Sequence, residues 1–373
     1  VTDRERFRNV LHFQDVDRIP NVEIGYWKGA IIRWLEEGLP ADIPIWAPAN
    51  DPQYTRNSRE LTEYFGLDAH DIAYNTAVGI GPSTPRTVEV TDDGDYEKIS
   101  YSDGYTYIRL KSDIEGSIHD IDWAVKDRSD WERVQDSIAP GWHNISRSPG
   151  NLPSEDRKYP AILTLPGFFW QLRIWMGFEK ACTVFYEDPD WTQEIMTFLG
   201  DYLKSQCELV LEHFKPEYIG FDEDMSYNHG SMLAPGIIEK YLVPQYDKVT
   251  SYARSMGVDI FTVDSDGLND EIIPVLYQGG VNTWLPFEMV CRQGQSTLLD
   301  LAKTYPWLRI FGGMDKTALS KGFEAIDAEI AKIRPLAERG GYIPMIDHKV
   351  PPDVSLENYK YYLREKTRAL TVK

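Results

Sequence analysis

The side chains best equipped for chemistry are carboxylates and a histidine, and each follows or ends a short apolar run. Glu23 lies in IPNVEI, Asp222 to Asp224 in YIGFDED, Asp264 and Asp266 in VDIFTVDSD, Glu288 in VNTWLPFE and His348 in YIPMIDH. Asp264, Asp266, Glu288 and His348 together offer three carboxylates and an imidazole. That donor set suits a divalent cation, and the histidine draws the preference toward transition metals such as zinc. The same aspartates serve equally well as helix N-caps and satisfied loop acids, and both readings stay open. Gly267, after DSD, permits a sharp turn out of the strand.

A second polar cluster runs from Asp222 through Tyr227, Asn228 and His229. If the strand continues through DED, Asp222 and Asp224 share one face and Glu223 takes the other. A carboxyl crowded by acids has a raised pKa, so Asp224 can hold a proton for a departing group, with His229 as the alternative donor. The competing reading is a cap-and-loop network. Aromatic residues follow two other runs: Tyr26 and Trp27 after one, Phe168, Phe169 and Trp170 after another. They can line an apolar binding surface or pack the core. Arg173 can meet a substrate carboxylate or form a salt bridge on its own helix, and Lys316 can neutralise Asp315 or face solvent.

Residues so far apart meet only if many strands deliver their C-terminal ends to one place. Eight candidate parallel strands do so: residues 19–25, 70–75, 161–165, 218–221, 259–263, 281–285, 308–312 and 342–346. Helical stretches such as DPDWTQEIMTFLGDYLKSQCELVLEHF and APGIIEKYLVPQYDKVTSYARSMG alternate with them. The pattern predicts a single (β/α)8 TIM barrel over residues 1–373, with its site at the strand C-termini. Between about 81 and 150 the text changes to TVEVTDDGDYEKISYSDGYTYIRL, which alternates around Asp-Gly turns. That stretch predicts a β-hairpin-containing insertion after the second strand.

With 39 Lys+Arg against 59 Asp+Glu the formal charge is −20, which disfavours phosphate backbones and anionic lipid. Neither nucleic acid nor membrane is an expected partner. The start, VTDRERFRNVLHF, reads as a charged amphipathic helix rather than a signal peptide, and a cytoplasmic location is expected. Cys182, Cys207 and Cys291 are too few and scattered for a disulfide framework.

The chain resembles the uroporphyrinogen decarboxylase superfamily along nearly its whole length. The resemblance rests on RERFRNVLHFQDVDRIP, GFEKACTVFYEDPDW, DEDMSYNHGSMLAPGIIEKYLVPQY, VDSDG, PFE, GGMDK and GGYIPMIDHKVPPDVSLENYKYY. Within that superfamily it is more similar to the cobamide-dependent methyltransferases than to the decarboxylase. After RIP the decarboxylase carries an arginine-bearing segment that grips porphyrinogen carboxylates, whereas this chain continues NVEIGYWKGAIIRW.

The resemblance implies a metal site. Asp264-Ser265-Asp266 stands where coenzyme M methyltransferases carry His-x-Cys, Glu288 where they carry an acid, and His348 where a final cysteine is expected. Both thiolates are missing, which argues against a thiol acceptor. What remains implies a substrate-side O-demethylase methyltransferase, moving a methyl group from a methoxylated, aromatic small molecule to Co(I) of a corrinoid (cobalamin) held by a partner protein. Metal or acid would activate the ether oxygen. Asp224, His229 and Glu288 are the expected catalytic groups, and Tyr26, Trp27, Phe168, Phe169, Arg173, Tyr227 and Asn228 the expected substrate contacts. A homodimer is also implied. A cofactor-independent decarboxylase or lyase of the same superfamily, or a non-catalytic corrinoid-binding protein, is the alternative.

Overall fold

The computed structural model describes residues 1–43, 59–68, 75–82 and 86–371. At its centre is a parallel sheet of seven strands in mixed α/β architecture. In chain order the strands are β1 (Asn75–Ala77), β2 (Val88–Asp93), β3 (Tyr96–Tyr101), β4 (Thr106–Leu110), β5 (Ile118–Asp122), β6 (Ile162–Pro166), β7 (Tyr218–Asp222), β8 (Ser226–Tyr227), β9 (Gly230–Ser231), β10 (Phe261–Asp264), β11 (Thr283–Phe287), β12 (Arg309–Met314) and β13 (Tyr342–Ile346). The parallel sheet runs β1-β6-β7-β10-β11-β12-β13, and β2 to β5 form a separate antiparallel sheet.

Alternation along the parallel strands decides which residues face the core and which face the site. In β6, β7 and β10, Leu163, Leu165, Ile219, Phe221, Phe261 and Val263 are all fully buried. The residues between them, Ile162, Thr164, Tyr218, Gly220, Asp222, Thr262 and Asp264, line one cavity. Parallel registration sets Asp222 opposite Asp264. Side chains two apart on a strand share a face, so the acids at the ends of neighbouring strands reach the same space.

Helices cover the other face. Asp188 caps Pro189–Leu211, and Trp191, Ile195, Met196, Leu199 and Leu203 bury one stripe of it. Ordered burial of that kind, at three- and four-residue spacing, is what holds an amphipathic helix to a sheet. Near the start, Thr2 and Glu5 form a reciprocal capping box on Asp3–Leu11.

Two of the eight expected strands differ. Residues 19–25 form no strand. Their chain continues beside β13 through Val350 N–H to Gly25 O at 2.9 Å and Trp27 N–H to Val350 O at 3.0 Å. Pro20 lacks a donor, which weakens a continuous ladder there. Of the expected strand at 70–75, residues 70–74 lie outside the described residues and Asn75 opens β1. Among the described residues no helix is long and apolar enough to cross a membrane.

Candidate functional site

A cavity of about 380 Å³ opens at the C-terminal ends of the parallel strands. Ile162, Tyr218, Leu285, Phe311 and Met345 line it with apolar surface, and Asp222, Asp224, Asp264 and Asp266 with His348 and Lys349 line it with charge. Trp27 and Trp170 also line it. The rings of Trp27 and His348 lie 5.5 Å apart, and Lys349 Nζ sits 4.4 Å from the Trp27 ring centroid.

The turn after β10 aims Asp266 inward. Gly267 adopts φ +81°, and a Cβ there would stand 2.8 Å from the Tyr227 backbone, so glycine is required. Asp266 Oδ2 lies 3.6 Å from His348 Nε2. Burial, then the charges of Glu288 and Asp224, push the Asp266 carboxyl up to about 7. It therefore carries a proton for a substantial part of the time near neutrality.

Glu288 is held differently. Its Oε1 accepts from Lys316 Nζ at 2.7 Å and its Oε2 from Gly267 N–H at 3.1 Å. Burial opposes ionisation, but the Lys316 hydrogen bond and charge prevail and hold Glu288 below the usual glutamate value. Asp347 joins the same group: its carboxylate accepts from Met289 N–H at 2.6 Å and Lys316 N–H at 3.0 Å. Burial pushes Asp347 up to about 6 against the pull of Lys316.

The expected metal site is not assembled in this geometry. Among the described residues no group of three or more His, Cys, Asp or Glu side chains is arranged to hold a metal ion. The physical reason lies in Lys316, whose ammonium already satisfies the Glu288 oxygen a cation would need. Lys316 neither pairs with Asp315 nor faces solvent; Asp315 instead accepts from Thr317 N–H and Oγ1 at 2.8 and 2.7 Å. The present donor set does not fit zinc.

Several expected contacts lie elsewhere. Tyr26 is fully buried, its hydroxyl 3.0 Å from that of Tyr359, with its ring against Trp34. Phe168 and Phe169 are also fully buried, Phe168 packing edge-on against Tyr246. These rings fill the core because they begin helix Phe168–Met176 on its inward face; Trp170, one residue on, reaches the cavity. Tyr227, Asn228 and His229 are exposed on the β8–β9 hairpin and none lines the cavity. His229 instead packs edge-on to Tyr227, so the alternative proton donor is displaced from the site.

Beyond β7 the alternation of DED stops. Asp224 has φ +53°, which turns the chain, and Arg173 secures the turn by donating to the Asp224 carbonyl at 2.7 Å. Glu223 does not point away from the site. Its carboxylate is fully buried and accepts from Phe168, Phe169 and Trp170 N–H at 2.7, 3.0 and 3.2 Å, and from the Tyr246 hydroxyl. It thereby caps a helix whose N-cap, Gly167, has no side chain to do so. Burial raises Glu223 to about 7, opposed by these donors.

Sequence reasoning passed over Asp347 and Lys349, which flank His348. The available signal was their place directly after β13, since β7, β10 and β11 had also delivered acids at their ends. Lys316 gave the same signal after β12.

No family model matches the chain. A uroporphyrinogen decarboxylase from Campylobacter curvus (strain 525.92) is 24% identical over 264 residues, covering 67% of this chain and 67% of that protein. A methyltransferase structure from Methanosarcina mazei superposes with TM-score 0.55 at 14% identity, covering 98% of both chains. A B12-independent methionine synthase from Shewanella sp. W3-18-1 gives TM-score 0.45 at 12% identity, over 95% of this chain and 97% of that one. The sequence likeness to a decarboxylase and the fold shared with the first structure agree with the resemblance to the uroporphyrinogen decarboxylase superfamily carried by the motifs.

Proposed function

We propose that the protein is a methyltransferase that takes the methyl group of a methoxylated, aromatic compound and passes it to Co(I) of a corrinoid carried by a partner protein. Its sheet would close into a barrel through residues 19–26, which already bond to Val350 beside β13 and receive Ile346 N–H on Glu23 Oε2 at 3.1 Å. The observation that carries the reading is the Asp266–His348 pair at the cavity mouth, where a proton is available near neutral pH.

Breaking an aryl ether leaves a phenolate whose conjugate acid has a pKa of about 10 by analogy with tyrosine, so a positioned acid lowers the barrier. The C–O bond breaks as the methyl carbon is taken by the acceptor, and the oxygen receives the Asp266 proton. His348 stabilises the resulting carboxylate by charge when protonated and restores the proton from solvent. Trp27 and Trp170 offer flat surfaces for the aromatic ring, and Ile162, Tyr218, Phe311 and Met345 receive its apolar edge.

The acceptor must come from outside. Cys291 lies three residues after Glu288, but its Sγ donates to the Glu288 carbonyl and burial pushes its thiol up to about 11. Cys207 is fully buried, with its thiol pushed up to about 12. Neither is a ready thiolate at neutral pH. A Co(I) corrinoid set over the mouth would supply the missing nucleophile.

A decarboxylase acting on a polycarboxylate fits less well. Among the described residues that line the cavity, Lys349 is the one Lys or Arg, against Asp222, Asp224, Asp264 and Asp266. A polyanion would meet repulsion where it needs a clamp. The test is a single turnover with free cob(I)alamin and 2-methoxyphenol. Methylcobalamin and catechol should appear together; no methyl transfer across a set of neutral methoxybenzenes would overturn the proposal.

A further inference from the structure

We propose that Lys316 is a built-in cation that takes the place of a divalent metal at this site, so that the centre is held together by an ammonium ion and operates as a metal-free acid centre. The geometry is a knot across three strand ends. Lys316, just after β12, places Nζ 2.7 Å from Glu288 Oε1, after β11, and 3.9 Å from Asp347 Oδ1, after β13. Backbone donors fix each partner as well: Gly267 N–H on Glu288 Oε2, Met289 N–H on Asp347 Oδ2 and the N–H of Lys316 itself on Asp347 Oδ1. Lys316 is four-fifths buried and Asp347 fully so, which keeps water from screening the ammonium.

The arrangement does what a structural cation would do. It neutralises converging carboxylates and sets the loops after β10, β11, β12 and β13 in a fixed relation. It does so with one charge and a tetrahedral donor instead of a two-charge ion that demands several open ligand positions. Metal and ammonium exclude one another, because Glu288 Oε1 cannot serve both at bonding distance. Lys316 is thus a positioning residue, holding the wall from which Asp266 and His348 work. This role rests on the methyl-transfer reading for its consequence, while its test reads metal binding alone.

The full-length protein is dialysed against Co²⁺ or Zn²⁺, metal content is measured by plasma mass spectrometry, and Co²⁺ ligation is followed by visible absorption. Wild type and Lys316→Arg should hold no stoichiometric ion. Lys316→Met, which keeps the bulk of the stem and removes the charge, should take up about one ion per chain, as expected of a site opened to its ligands. Adding Glu288→Gln to that variant should abolish the uptake. Circular dichroism checks the fold, and Lys316→Gln provides a second neutral variant if Lys316→Met does not fold. About one ion per wild-type chain, lost on Glu288→Gln, would overturn the proposal. So would folded neutral variants that bind no more metal than wild type.

Discussion

Two sets of carboxylates meet the same cavity, and they are treated in opposite ways. Glu23 and Glu223 are fully buried and saturated with donors: Lys366 Nζ at 2.5 Å, Tyr362 hydroxyl at 2.7 Å and Ile346 N–H for Glu23, three backbone N–H groups and Tyr246 for Glu223. Asp266 stands at the mouth among other acids, with His348 Nε2 3.6 Å away. Saturated acids fix the fold: Glu223 starts a helix and Glu23 ties the N-terminal segment to the last strand. Asp266, pushed up to about 7 by burial and then by the charges of Glu288 and Asp224, holds its proton with no backbone donor among the described residues committed to it, whereas Glu223, pushed as high by burial, is committed to its helix.

The comparison predicts separable losses. Asp266→Asn should lower methyl transfer by about 10² to 10⁴ while thermal stability holds or rises, because general-acid contributions have that size and an uncompensated acid leaves the cluster. A single-turnover assay beside a thermal melt checks both. Lys366→Met should do the reverse. It strands Glu23 in the core and should cost about 3 to 5 kcal/mol in a denaturant titration, the usual penalty for removing one partner of a buried pair. If it unfolds no more readily than wild type, Glu23 is not the clamp described.

A smaller effect is expected at Tyr246→Phe. Removing one donor from the buried Glu223 should lose about 1 to 3 kcal/mol, since three N–H groups remain. The same comparison predicts a pH effect on stability. Asp266 is raised from 3.8 to about 7 on folding, so the native state binds the extra proton between those values. Its favourable contribution is fully present below pH 3.8 and is lost as pH rises toward about 7. Subtracting the Asp266→Asn stability profile from wild type should expose that downward slope; a flat difference would break the assignment of the raised pKa.

Much of the strand framework was legible because period-two alternation is a strong signal. Residues 342–346 match β13, and the strands around 218–221, 259–263 and 281–285 shift by two residues or fewer at either end. The same alternation, carried on through DED, predicts Asp222 and Asp224 on one face. It failed at Asp224, where a left-handed turn held by Arg173 redirects the chain, because no local pattern marks such a turn at an aspartate. It also failed for Phe168 and Phe169. A helix beginning in three successive aromatics does not reveal which ring faces the core until its neighbours, here Phe221 and Tyr246, are in place. Lys316 was misjudged for a similar reason: its partner Glu288 is 28 residues distant, and only the parallel register brings the two together.

The most direct test of the account is the pH profile of a single methyl transfer from 2-methoxyphenol to cob(I)alamin, measured for wild type and Asp266→Asn. A wild-type rate that is level in acid and falls above about pH 7, with a slow and pH-independent variant, is the predicted result. Equal rates and equal profiles for the two proteins would contradict it, and Asp266 would not be the proton donor.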